Sequence, residues 1–99
     1  MYRHVSVFTL EDALQQADFV KLLKEVGDQC EMIMHNEVGV HIGSKPTGMQ
    51  EGPQFGDVIQ IIDFATKEDL EAYPASKAHQ KIIKEGPKMA HVTAIDYEI

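Results

Sequence analysis

The sequence predicts an α+β domain in which strands and helices follow one another as β-α-β-β-α-β, and three observations carry that expectation. Residues 3–9, 32–43, 56–64 and 91–98 alternate or run apolar as strands do. Stripes at helical spacing fall between the first and second of these segments and between the third and fourth. The 99 residues show no repeat, low-complexity tract or linker, which suits one domain over 1–99.

In the first strand Val5 and Val7 fall on one face and His4, Ser6 and Phe8 on the other. Thr9 and Asp12 form a Thr-x-x-Asp pattern that predicts a helix cap at Thr9. The helix runs to about Val26, with Phe19, Leu22, Leu23 and Val26 facing a sheet and Gly27 as a left-handed stop. In the second strand Met34, Val38, Val40 and Ile42 share a side opposite His35, Glu37, Gly39 and His41. Residues 44–54, rich in Pro, Gly and polar side chains, read as a mobile loop near the site.

The third strand carries Val58, Gln60, Ile62 and Phe64 on one face and Ile59 and Ile61 on the other. A strand apolar on both faces belongs in the interior of a sheet. Thr66 and Asp69 repeat the capping pattern before a helix over 67–73 that puts Leu70 and Tyr73 together. Pro74 breaks it, because proline cannot donate the helical hydrogen bond. A new helix then aligns Ala78, His79, Ile82 and Ile83 on its apolar stripe until Gly86-Pro87. Ser76 and Lys77 lie off that stripe, so substitution there should be mild. In the last strand Val92 and Ala94 oppose Thr93, Ile95 and Tyr97.

This order is the ferredoxin-like arrangement, with helices on one face of a four-stranded antiparallel sheet. The other face presents Val5, Val7, Ile59, Ile61, Ile95 and Tyr97, an apolar area on the order of several hundred Å², more than a monomer usually exposes. A second copy covering it predicts a homodimer.

Composition excludes several functions. The net charge of −7, from nine Lys and Arg against sixteen Asp and Glu, opposes nucleic-acid binding. No run approaches membrane-spanning length, and the start has neither an apolar signal core nor a cleavage site, so a cytoplasmic location is expected. The single Cys30, flanked by Asp28 and Glu31, suits a reducing compartment and makes a poor nucleophile. His35, Glu37 and His41 span about 20 Å of strand at about 3.4 Å per residue, too far for one metal ion. The glycines of 43–56 do not lead from a strand into a helix and form no phosphate cradle. No cofactor is expected.

The segment Glu71-Ala72-Tyr73-Pro74-Ala75-Ser76-Lys77-Ala78-His79-Gln80, with Ile82-Ile83 after it, resembles the signature of the stress-responsive A/B barrel (Dabb) family. His4, residues 39–44, Val58–Phe64 and Ile95-Asp96-Tyr97 extend the resemblance over nearly the whole chain. One departure stands out: Ser76-Lys77 replaces a His-Pro pair common in the family. The resemblance implies a dimeric α+β barrel. It also implies a cavity between sheet and helices holding His4, Tyr73 and His79, as in a polyketide-cyclising plant member.

Ser6, Gln60 and Ala94 would share that cavity, with Phe19 and Leu23 as its apolar wall and His4 or a ligand as partner for the Gln60 amide. A histidine titrating near neutrality can take a proton, and a phenol can hold an enolate oxygen. That set suits a cofactor-free cyclase or lyase acting on a small molecule, with His79 as base and Tyr73 as oxyanion partner. Two alternatives stand beside it: a non-catalytic binding or structural module whose buried His and Tyr merely satisfy hydrogen bonds, and a monooxygenase of the wider superfamily.

Overall fold

The computed structural model describes residues 1–43 and 56–99. The loop expected over 44–54 lies outside the described residues. β1 (Tyr2–Leu10) buries Ser6, Phe8 and Leu10 on its helix-covered face and half-buries Val5 and Val7 on the other. The strand runs through Thr9, which pairs with His91, so the expected cap at Thr9 is corrected. Asp12 takes that role, its carboxylate accepting from the Leu14 N–H at 3.0 Å ahead of a 3-10 turn at Ala13–Gln15.

α1 (Gln16–Gln29) packs Phe19, Leu23 and Val26 on the sheet, as its stripe predicts. It does not stop at Gly27: that residue is buried inside the last turns, and its φ is not positive. The reason for glycine is space. A Cβ there would lie 2.0 Å from Nδ2 of Asn36, which crosses the helix while donating to the Leu23 carbonyl at 3.3 Å and accepting from the Gln60 amide at 3.0 Å. Gly27→Ala should therefore displace Asn36 and cost about 1–3 kcal/mol, although alanine is the better helix former. Denaturant unfolding measures this, and a stability equal to the parent would show that Asn36 can move without loss.

β2 (Ile33–Val40) is shorter than the sequence predicts, and its pairing with the next strand is irregular between Ile33 and His35. Met34 sits at that irregularity and is exposed, and Ile42 lies beyond the strand, also exposed. The inserted residue reverses the parity of what precedes it. Asn36 and Val38, not Met34, therefore share the helix-covered face, opposite Ile62 and Gln60.

β3 (Val58–Phe64) buries Val58, Gln60, Ile62 and Phe64 beneath the helices. Thr66 caps α2 (Lys67–Ala72), its hydroxyl accepting from Asp69 N–H at 3.1 Å. A 3-10 turn at Tyr73–Ala75 carries Pro74, and α3 (Lys77–Glu85) follows. The Ser76 hydroxyl accepts from His79 N–H at 3.2 Å as the N-cap of α3. A substitution that removes this hydroxyl forfeits the cap, a contribution of about 1 kcal/mol to stability. Ala78 and Ile82 take the buried side of α3. Ile83, expected beside them, is 62% exposed because it lies one residue, about 100°, further around the helix.

β4 (Met89–Glu98) completes an antiparallel sheet of order β2-β3-β1-β4. The ferredoxin-like α+β architecture is thus the observed one. Two apolar clusters lie under the helices, one around Phe8, Phe19, Leu23 and Val58, the other formed by Ile62, Phe64 and Tyr73. The opposite face carries Val5, Val7, Ile59, Ile61, Ile95 and Tyr97. At one end of it Arg3 pairs with Asp63 through Nε–Oδ1 at 2.7 Å and Nη2–Oδ2 at 2.9 Å. The guanidinium holds the Asp63 carboxyl below the usual carboxylate range.

Candidate functional site

His4 comes from β1, Tyr73 from the 3-10 turn and His79 from the first turn of α3. The helix break at Pro74 brings the latter two together: Tyr73 ends one helical segment and His79 follows the Ser76 cap of the next. The ring centroids of Tyr73 and His79 are 5.2 Å apart in an edge-on contact, and those of His4 and Tyr73 are 6.0 Å apart. Tyr73 also leans on Phe64 at 5.3 Å.

The Tyr73 hydroxyl and His79 Nδ1 are both buried and have no hydrogen-bond partner among the described residues. Unpaired buried polar atoms are rare in folded proteins, since each forfeits its hydration without replacement. Burial pushes the Tyr73 phenol up to about 12, with Cys30 adding a smaller effect of the same sign. Burial also lowers the pKa of His79, opposed in part by the Pro74 carbonyl and reinforced by His4. At pH 7 the pair is a neutral phenol donor and a neutral imidazole.

His4 is wired differently. Its Nδ1 is hydrogen-bonded to Oδ1 of Asp96, its cross-strand neighbour on β4, and its Nε2 lies 2.9 Å from the Ser6 hydroxyl. Asp96 has no place among the candidates drawn from sequence. Only the β1–β4 register, which pairs His4 with Asp96, reveals it. Gln60 finds its partner in Asn36, not in His4. Ala94 stands opposite Ser6 and is exposed. Phe19 and Leu23 are fully buried in the cluster with Phe8 and Val58, apart from the one that holds Tyr73.

Two cavities flank the site. One of about 460 Å³ opens between the end of α1 and the start of α3, lined by Cys30, Met32, Ala78 and Lys81 among others. Met32 and Ala78 also pack on the cluster containing Tyr73. Another, of about 640 Å³, lies beside α2 and the end of β4 and is lined by Tyr2, Leu70, Pro74 and Asp96. Neither is lined by His4, Tyr73 or His79 themselves. His35 and Glu37 approach to 3.8 Å on the exposed rim of β2, and no three His, Cys, Asp or Glu among the described residues converge as metal ligands.

A small α+β domain of ferredoxin-like topology, with a tyrosine and two histidines meeting between sheet and helices, defines the class. The sequence profile of the Stress responsive A/B Barrel Domain, Dabb, matches residues 2–99, and the chain belongs to that family. A Dabb family protein of ferredoxin-like fold from Mesorhizobium loti is similar in structure with a TM-score of 0.76 at 21% identity, over 99% of this chain and 95% of that one. A dimeric ferredoxin-like protein of unknown function from Thermobifida fusca gives 0.76 at 17%, over 99% and 90%. The hydroxynitrile lyase of Passiflora edulis gives 0.73 at 14%, over 99% and 92%. At these identities the likeness is one of fold. No curated protein matches the chain.

Proposed function

We propose that this chain is a homodimeric, cofactor-free enzyme that moves a proton on a small carbonyl compound, in a cyclisation or a lyase cleavage, with His79 as base and Tyr73 as oxyanion donor. The observation that carries this reading is the pair of unpartnered buried atoms, the Tyr73 hydroxyl and His79 Nδ1, on rings 5.2 Å apart. A ligand oxygen between them would satisfy both. His4 flanks the pair, and the set resembles that of olivetolic acid cyclase. The hydroxynitrile lyase of similar fold supports the lyase alternative within this reading. Dimerisation is supported by the open apolar face and by the dimeric neighbour. No helix among the described residues is long and apolar enough to cross a membrane.

The test is turnover of a panel of hydroxynitriles and linear poly-β-ketones by the purified protein, with Tyr73→Phe as control. Turnover that falls at least tenfold in Tyr73→Phe supports the proposal. Binding without turnover in every case would leave the non-catalytic binding module as the better description.

A further inference from the structure

The hydrogen bonds around His4 have a direction that the proton-transfer reading leaves unused. The ring is held by Asp96 at Nδ1, and its other nitrogen meets a hydroxyl, Ser6 Oγ, at 2.9 Å. A carboxylate on one imidazole nitrogen sets the tautomer, leaving the far nitrogen as acceptor for the serine proton. Alternation along β1 puts His4 and Ser6 on one face, and antiparallel register puts Asp96 across from His4. The backbone alone thus aligns carboxylate, imidazole and hydroxyl in the order in which serine nucleophiles are activated. The nearby Tyr73 hydroxyl, free of any partner among the described residues, is a donor in reserve.

Ser6 itself is 5% exposed, one strand in from the β4 edge of the sheet. The helices leave β4 uncovered, so Ala94, directly across from Ser6, is exposed, and its methyl group occupies little space beside the hydroxyl. The cavity of about 640 Å³ reaches Asp96 from the same side, with Leu70 and Pro74 as apolar lining. That cavity borders the triad at Asp96 and is not lined by Ser6 or His4.

We infer that Ser6, His4 and Asp96 act as nucleophile, general base and orienting carboxylate, and that this chain cleaves esters of small carboxylic acids through an acyl-Ser6 intermediate. Ser6 Oγ attacks the ester carbonyl while His4 Nε2 takes the hydroxyl proton, and the carbonyl electron pair moves onto oxygen, where the Tyr73 O–H donates to it. Collapse of the tetrahedral species breaks the bond to the leaving alcohol, which receives the proton from His4. Water repeats the sequence, releasing the acid and restoring Ser6. Ser6 and His4 are catalytic residues in this scheme, and Asp96 is a positioning residue. The scheme is independent of the role of His79.

The experiment uses p-nitrophenyl acetate with the intact protein. Stopped-flow release of p-nitrophenol should show a burst approaching one equivalent per chain, and peptide mass spectrometry should find the acetyl group on Ser6. Both should vanish in Ser6→Ala and in urea-unfolded protein. His4→Gln should slow acylation by about 10²- to 10⁴-fold. Asp96→Asn should slow it to a comparable extent and change the pH profile of acylation, which a merely structural role would not do. Acetylation found only on histidine, lysine or the amino terminus would overturn the inference. So would a Ser6→Ala rate within twofold of the parent. Should Ser6→Ala fail to fold, native-dependent acetyl-Ser6 in the unmutated chain decides the matter: its presence upholds the inference and its absence ends it.

Discussion

Ile61→Asp is expected to yield a monomer of sharply reduced stability. Ile61 lies mid-strand on the open face of the sheet, across from Val5 on β1 and Glu37 on β2. In the proposed dimer a second sheet covers it, and a carboxylate there must either enter an apolar interface unpaired or hold the two sheets apart. An uncompensated buried charge costs about 3–5 kcal/mol, and each interface related by two-fold symmetry carries it twice. Sedimentation at micromolar concentration should show a dimer for the parent and a monomer for the variant. A monomeric parent would remove the dimer from the proposal.

The second large effect is at His79. Removing the imidazole should lower turnover by about 10²- to 10⁴-fold once a substrate is in hand, the usual contribution of a positioned general base. Folding should change little, because Ser76 caps the backbone N–H of residue 79 whatever its side chain. Its pH dependence has a definite sign. Burial lowers the folded-state pKa of His79 below 6.5, so its basic form persists under mildly acidic conditions and the acid limb of the rate profile should fall below the ordinary histidine range. The same shift means that the unfolded chain binds the extra proton first. Stability is full above the unfolded pKa and declines as pH falls from there through the lowered folded value. Turnover retained within a few-fold in His79→Ala would transfer the base role to His4.

Much of the fold was legible because strands and helices announce themselves by different periods. The alternation of Val5 and Val7 with Ser6 and Phe8 and the Phe19, Leu23, Val26 stripe needed only side-chain spacing, and the structure keeps them. Pro74 told where the helix breaks, and the break brings Tyr73 to His79. The failures share a different origin. Gly27 looked like a terminator from its neighbours in sequence, but Asn36, from β2, explains it. Met34 lost its face to a register irregularity set by the partner strand. Asp96 and Asn36 acquire meaning only from pairing across the sheet, which local periodicity does not encode.

The place of β1 in the sheet has a consequence for the order of assembly. It precedes the other three strands and is an inner one, yet its neighbours are β3 and β4, so Arg3 meets Asp63 and His4 meets Asp96 across separations of 60 and 92 residues. β1 has no ladder to join until β3 is available, and its second edge waits for β4. Pairings of such high sequence separation close slowly, because the loop entropy is spent before the contacts form. His4 therefore receives its carboxylate only when β4 docks, which makes the cluster around it a late part of this fold to form.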